Sequence, residues 1–414
     1  MSEPKVVLVT PALPYDDVPH AGGRYVLALH RVLAQLGDVS VVAPGTRTNR
    51  AAAGRPGSPG GLVLAGGDEG QTRRVRAVRW TAANLDRRLR RFDQGAPSLL
   101  FATDLVRNPQ IRALIRSADV IDLQWFDSIR LAPLLHRMNR AAALVGTFHD
   151  VQSQSFSRES SGSGRDAAYW QRQAARAHRL EVARLADLDV AITFSEKDDA
   201  LLGHPTNLRV VRPPLADVPS VIRSPSGVPT VIFVSYLARD ENNEAALWLL
   251  DRIWPRVLAQ LPTAQLRLVG AGASDELRHT AQRIPSAMLT GFVDDLAIEY
   301  SRAWASIVPL RKGAGVKFKT VEALVAGVPV VTSPVGAEGI DHQGAFVAVD
   351  DDPAVLAGSL VGVLRHPATY AGKAREAAVW ARQAYSLTTF RRQITEVVEQ
   401  ARAAAEARGS RGPS

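Results

Sequence analysis

A chain of 414 residues, 46% hydrophobic and 22% charged, is long enough for two hydrophobic cores and has the composition of a soluble globular protein. With no cysteine there is no disulfide framework, thiol nucleophile or cysteine-ligated zinc, and no apolar run approaches the length of a membrane span. Lys and Arg number 50 against 41 Asp and Glu, a formal net charge of +9, but aromatic residues do not interleave with the basic ones, so no nucleic-acid partner is expected.

Val6–Val9 reads as a short buried strand, entered directly from Met1–Lys5 without a signal-peptide core. Together with the missing cysteines, this sets a cytoplasmic location as the expectation. Tyr25, Val26, Leu29, Val32, Leu33 and Leu36 then recur at helical spacing, ending at Gly37, and Val39–Val42 forms the next strand. A strand–helix–strand opening implies a parallel sheet. Residues 45–72, rich in Gly, Pro, Arg and Ala, read as a loop. The basic cluster Arg87-Arg88-Leu89-Arg90-Arg91 reads first as a solvated helix face. Its alternative is peripheral contact with the anionic inner face of a membrane.

Further strands are predicted at Val120–Leu123, Leu144–Thr147, Val190–Phe194 and Leu208–Val211, and residues 152–165 read as a polar loop directly after His149-Asp150. The proline- and serine-rich stretch from Pro213 to Pro229 reads as a linker. A second series of strands and helices begins at Val231–Val234. It continues with a helix over 244–261, strands at Leu266–Val269, Ile307–Leu310, Val328–Thr332 and Phe346–Val349, and helices over 353–365, 369–384 and 387–407. The pattern predicts an α/β protein of two doubly wound, Rossmann-like domains, 1–215 and 216–386, followed by a C-terminal helix and frayed tail over 387–414.

The stretch Gly313–Gly336 is the most informative. An apolar segment, Ile307–Leu310, runs into a turn containing Gly313 and Gly315. A short helix over about 316–326 follows, carrying Lys317, Lys319 and Glu322, and stops at Gly327. Glycines at a strand-to-helix junction let backbone amides approach a ligand, and a helix N-terminus favours an anion. Two lysines add positive charge there, so Gly313, Gly315, Val316, Lys317 and Lys319 are expected to hold a phosphate or diphosphate. Glu322, at the edge of the apolar stripe, is placed to accept from ribose hydroxyls. The bland alternative is a surface Lys319–Glu322 pair beside an ordinary turn. Gly270-Ala271-Gly272 lacks the third glycine of a dinucleotide fingerprint, and Phe318 stands where a P-loop needs glycine. Asp350-Asp351-Asp352 precedes Pro353 and is assigned to capping a helix rather than to a metal.

The Gly313–Gly336 segment resembles the donor-binding motif of retaining, nucleotide-sugar-dependent glycosyltransferases of family 4. Three other stretches resemble that family in its order. They are Thr10–Pro14 with Gly22-Gly23 (an N-terminal glycine loop), Gly146–Asp150 (a histidine-bearing strand end) and Leu289–Asp295 (a turn beside the nucleobase). The resemblance implies the GT-B fold, two Rossmann-like domains facing a central cleft, with the acceptor on the N-terminal domain and the donor mainly on the C-terminal one. It implies metal-independent transfer of a hexosyl or deoxyhexosyl group, with retention, from a nucleotide-diphosphate sugar to a glycolipid, polysaccharide or secondary-metabolite hydroxyl. No cofactor and no metal are expected. His149 is implied near the donor sugar, Gly22 and Gly23 at the donor, and Phe292 and Val293 at the base. The family's last helix crosses back to the N-terminal domain.

Two positions depart from the family. Ala314 replaces the first of its paired glutamates, and Phe233-Val234-Ser235-Tyr236 lacks its usual glycine and basic residue. Lys317, Lys319 and Arg239 are expected to supply the missing charge. These departures also keep two rivals open: a non-catalytic GT-B scaffold, and a nucleotide-sugar epimerase on the same fold.

Overall fold

The computed structural model describes residues 3–410 except Asp17, Pro19, 67–72, Arg90, 161–165, 216–226 and Gln343, and the chain folds into two compact units. Met1–Pro213 joins Phe390–Ser414 in the first, and Pro214–Thr389 forms the second. Most of the 213–229 linker therefore lies outside the described residues.

The first unit is built on a seven-stranded sheet of order β3-β2-β1-β4-β5-β6-β7. The strands are β1 (Lys5–Val9), β2 (Asp38–Pro44), β3 (Leu62–Ala65), β4 (Val120–Gln124), β5 (Ala143–Thr147), β6 (Val190–Thr193) and β7 (Leu208–Val210). The second unit has a six-stranded sheet of order β10-β9-β8-β11-β12-β13. Its strands are β8 (Thr230–Val234), β9 (Gln265–Val269), β10 (Ala287–Gly291), β11 (Ala305–Val308), β12 (Val330–Thr332) and β13 (Ala348–Val349). Every described strand pair is parallel. Helices on the sheet faces make the central strands apolar on both sides, which is why β1 and β8 read as near-continuous runs of Val, Ile, Leu and Phe.

Two segments expected to be loops carry regular structure. Within 45–72 lie a helix, Arg47–Ala53, and the edge strand β3. Its local composition favours turns, but buried Asn49 ties the helix to the sheet by donating to Pro11 O (2.9 Å) and Pro44 O (2.8 Å). Within 152–165, Gln152–Ser160 is helical. Its N-terminal amide at Ser153 donates to Glu181 Oε1 (3.2 Å), and Phe156 packs on Trp170 (5.4 Å between ring centroids), both partners lying on the helix Ala167–Leu185. Tertiary capping overrides a weak local propensity here. The helix expected over 244–261 begins earlier, at Asp240, where Asp240 and Glu241 favour the first turn, and contains a π turn at Leu249–Ile253.

The last helix, Leu387–Ser410, belongs to the first unit from Phe390 onward. Phe390, Ile394, Val397, Val398, Ala401 and Ala405 form its buried stripe. The Phe390 ring meets Tyr25 edge-on at 5.5 Å, and Arg408 donates to Asp189 and to Ala142 O (3.0 Å). Phe390→Ala is expected to destabilise the first unit by about 3–5 kcal/mol, read as a fall in its urea midpoint at unchanged slope.

Candidate active site

In each sheet the chain reverses its order of strand addition once. In the second unit this happens between β8 and β11, where the loops at the strands' carboxyl ends diverge and leave a crevice. The residues singled out between Gly313 and Glu322 follow β11 at that point. After β11 the backbone passes through Gly313 (φ +108°) and Gly315 (φ +71°), both in the left-handed region that favours glycine. It then enters the helix Phe318–Val325, whose N-cap residue, Lys317, makes no side-chain capping bond.

Lys319 lies in that first turn and is buried against the end of β8. Its Nζ donates to Ser235 Oγ (2.7 Å) and to Asn242 Oδ1, and sits 5.7 Å from the centroid of the Phe233 ring. Burial, with the nearby charges of Lys317 and Arg239, lowers its pKa from 10.5 to about 7. Glu322, one turn further on, is buried and adds a small opposing effect. Lys319 and Glu322 are therefore not the surface pair of the bland reading. Ser235, one of the positions that depart from the family, accepts from the Lys319 ammonium.

Lys317 serves the loop. It is buried, and its Nζ donates to Ala314 O (3.0 Å), Gly315 O (2.5 Å) and Glu338 Oε2 (3.3 Å). It was expected to supply charge to a ligand together with Lys319. Instead, three acceptors hold it under the turn, and only Lys319 points toward the crevice strands. Arg239 is largely exposed and pairs with Glu241 (2.6 Å), so it contributes field rather than contact to Lys319. Phe292 (75% exposed) and half-buried Val293 follow β10, two strands from β8, where Gly291 (φ +72°) turns the chain and Asp295 caps the next helix through Ala297 N (2.8 Å). Gly270 serves packing, since a Cβ there would stand 1.8 Å from Ser235 O. Asp352 caps the helix Pro353–Arg365 through Ala354 N (2.7 Å), the role expected of it.

The first unit has its own cluster at its switch point, between β1 and β4. Gly22 and Gly23 lie in the first turn of the helix Ala21–Leu36, capped by His20, whose Nδ1 accepts from Gly23 N (2.9 Å). His149, just past β5, is buried and stacks on Trp125, with ring centroids 3.7 Å apart and planes 12° from parallel. Trp125 follows β4 with a φ of +64°, a conformation that costs a non-glycine residue roughly 1–3 kcal/mol. A Cβ on Gly22 would lie 2.5 Å from Trp125 Cζ2 and 3.2 Å from His149 Nδ1, so glycine is what lets the helix end approach both rings. Burial, reinforced by His20, holds the His149 pKa well below its usual 6.5, so the ring is neutral. His20, Asp122, Gln124, Trp125, Asn242 and Glu338 were not foreseen. For Asp122 and Gln124 a signal existed, two polar residues on one face of an otherwise apolar strand.

A family model described as "Glycosyl transferases group 1" matches residues 228–366, which lie within the second unit, Pro214–Thr389. The C-terminal unit is a group 1 glycosyltransferase domain. A phosphatidyl-myo-inositol mannosyltransferase of Mycolicibacterium smegmatis is 30% identical over 166 residues, 38% of this chain and 42% of that protein. The chain thus matches less than half the length of this curated relative. An Anabaena HepE structure in complex with UDP superposes with a TM-score of 0.67 at 15% identity, covering 95% of this chain and 99% of that one. Sucrose-phosphate synthase from Thermosynechococcus elongatus does so with a TM-score of 0.64 at 19% identity, covering 96% and 99%. These likenesses establish the GT-B fold.

Within the group 1 glycosyltransferase domain, Lys317 and Glu338 form a buried ion pair. Its side chains are 9% and 5% accessible. Lys317→Met takes the ammonium away from the buried Glu338 carboxylate and is expected to cost about 3–5 kcal/mol of the second unit's stability in urea unfolding. The double variant Lys317→Met/Glu338→Leu is expected to recover most of that loss.

Proposed function

We propose that the protein transfers a hexosyl or deoxyhexosyl group from a nucleotide-diphosphate sugar to an acceptor hydroxyl, with retention at the anomeric carbon and without a metal ion. The observation that carries this reading is Lys319, a buried cation at the first turn of a helix whose N-cap residue makes no side-chain capping bond. A departing diphosphate needs negative charge stabilised as it develops, and backbone amides plus one desolvated lysine supply that without reorganising. Glu322 is the proposed ribose partner and the Phe292–Val293 turn the base-side contact. His149, with Gly22 and Gly23, is the proposed sugar-side group of the first unit. The UDP in the HepE structure and the mannosyltransferase name of the mycobacterial relative support a nucleotide-sugar donor.

Donor binding should depend on pH with a definite sign. Ligand-free Lys319 gives up its proton at about 7, whereas a bound diphosphate favours the charged form. Below that value binding finds the lysine already charged. Above it, each binding event must take up a proton, so affinity falls as pH rises. Titration calorimetry with UDP-, GDP- and dTDP-sugars should show this fall and proton uptake in buffers of differing ionisation enthalpy. Lys319→Met should weaken binding more than ~tenfold and abolish the uptake. Release of nucleotide diphosphate only when an acceptor is supplied identifies the transferase. Conversion of donor without acceptor identifies the epimerase, and binding of no nucleotide identifies the scaffold that Ala314 keeps open.

The acceptor is proposed to be a glycolipid or polysaccharide precursor, or a secondary metabolite, and the first unit to touch an anionic membrane surface. Trp80 and Phe92, 71% and 72% exposed, flank the exposed Arg87, Arg88 and Arg91. Exposed aromatic and basic groups together suit an interface of lipid headgroups. Flotation with vesicles containing phosphatidylserine should recover the protein, and Arg87→Glu/Arg88→Glu should lose it. Equal recovery with neutral vesicles removes this part of the proposal.

A further inference from the structure

We propose that Asp122 and Gln124 are positioning residues that fix His149 as the tautomer protonated on Nε2, leaving its Nδ1 as a bare acceptor beside Gly22. The argument starts from Asp122, buried on β4. A carboxylate only accepts hydrogen bonds, so the Gln124 side chain must turn its NH2 toward it. That group donates to Asp122 Oδ1 and, with its other hydrogen, to Thr147 Oγ1 (3.1 Å). Both amide hydrogens are then used, and the opposite end of the amide, Oε1, lies 2.9 Å from His149 Nε2. An amide oxygen cannot donate, so Nε2 must carry the proton. Since the ring is neutral, Nδ1 keeps its lone pair. Nδ1 is buried and has no hydrogen-bond partner within the protein, and it is the ring atom closest to the position a Gly22 side chain would occupy.

The relay therefore passes the charge of Asp122 through an amide to the far side of an imidazole. A lone pair there recognises a ligand that donates a proton, such as a hydroxyl, and repels a phosphate oxygen, which has none to give. That the hydroxyl belongs to a sugar rests on the glycosyltransferase reading; the relay itself does not.

Long-range ¹H–¹⁵N correlation of the histidine rings tests this in the full-length, ligand-free protein, with His149 identified by the signal lost in His149→Asn. Near pH 8 Asp122, pushed up to about 7 by burial, is ionised. Wild type should show His149 protonated on Nε2, and a ring protonated on Nδ1 overturns the proposal. In Asp122→Asn the new amide can donate to Gln124 Oε1, the Gln124 amide turns over, and His149 should shift wholly or partly to the Nδ1-protonated form. An unchanged tautomer there removes Asp122 from the relay. Should that variant not fold, Gln124→Glu places a carboxylate against Nε2 and should raise the His149 pKa by about one unit or more. No upward shift overturns the role of position 124. Because no sugar nucleotide enters these spectra, they stand whether or not transfer is detected, and a failed transferase assay leaves them intact.

Discussion

Parallel strand pairing is the constraint on which both halves of this protein depend. A strand that must run alongside its predecessor in the same direction needs a crossover, and the crossover helices leave all the strand-to-helix loops at one edge of the sheet. Where the order of addition reverses, two such loops part. In the second unit that point receives Ser235 from the end of β8 and the Gly313–Lys319 segment from the end of β11. In the first it receives Gly22, which follows β1, and Trp125, which follows β4. Neither cluster is contiguous in sequence. Each is assembled by topology.

The two clusters differ in electrical character, and burial explains both. In the second unit it depresses the pKa of a lysine, so that the cation is held at a cost an anionic ligand would relieve. In the first it holds a histidine neutral and raises the pKa of Asp122 to about 7, leaving an uncharged imidazole whose hydrogen-bond direction is set by its partners. One suits a phosphate; the other suits hydroxyl groups.

Much of the fold was legible in the chain. Apart from β3 and β10, the described strands fall where runs were read from the sequence, and the helix ending at Gly37 and the capping by Asp352 follow local rules. The phosphate-site reading of Gly313–Lys319 came from local glycines and charge, and the positive φ angles of both glycines agree with the turn it needed. The errors were of one kind. Gln152–Ser160 and Arg47–Ala53 read as loops because their own residues favour loops, and Glu181 and Asn49, distant or buried, reverse that preference. Nothing near Lys317 in sequence shows Glu338, the acceptor it meets 21 residues later.

By itself, the amino-acid sequence determined the alternation of strands and helices, the parallel sheets and the glycine turns, because these rest on periodicity and on backbone freedom within a few residues. Only the tertiary structure decided which lysine faces the crevice and which braces the loop, and which nitrogen of His149 is left without a partner. Those outcomes depend on acceptors brought in by other strands: Ser235 from β8, Glu338 beyond β12, and Gln124 and Asp122 from β4. Desolvation then sets the protonation of each group, and burial is a property of the packed chain rather than of any segment.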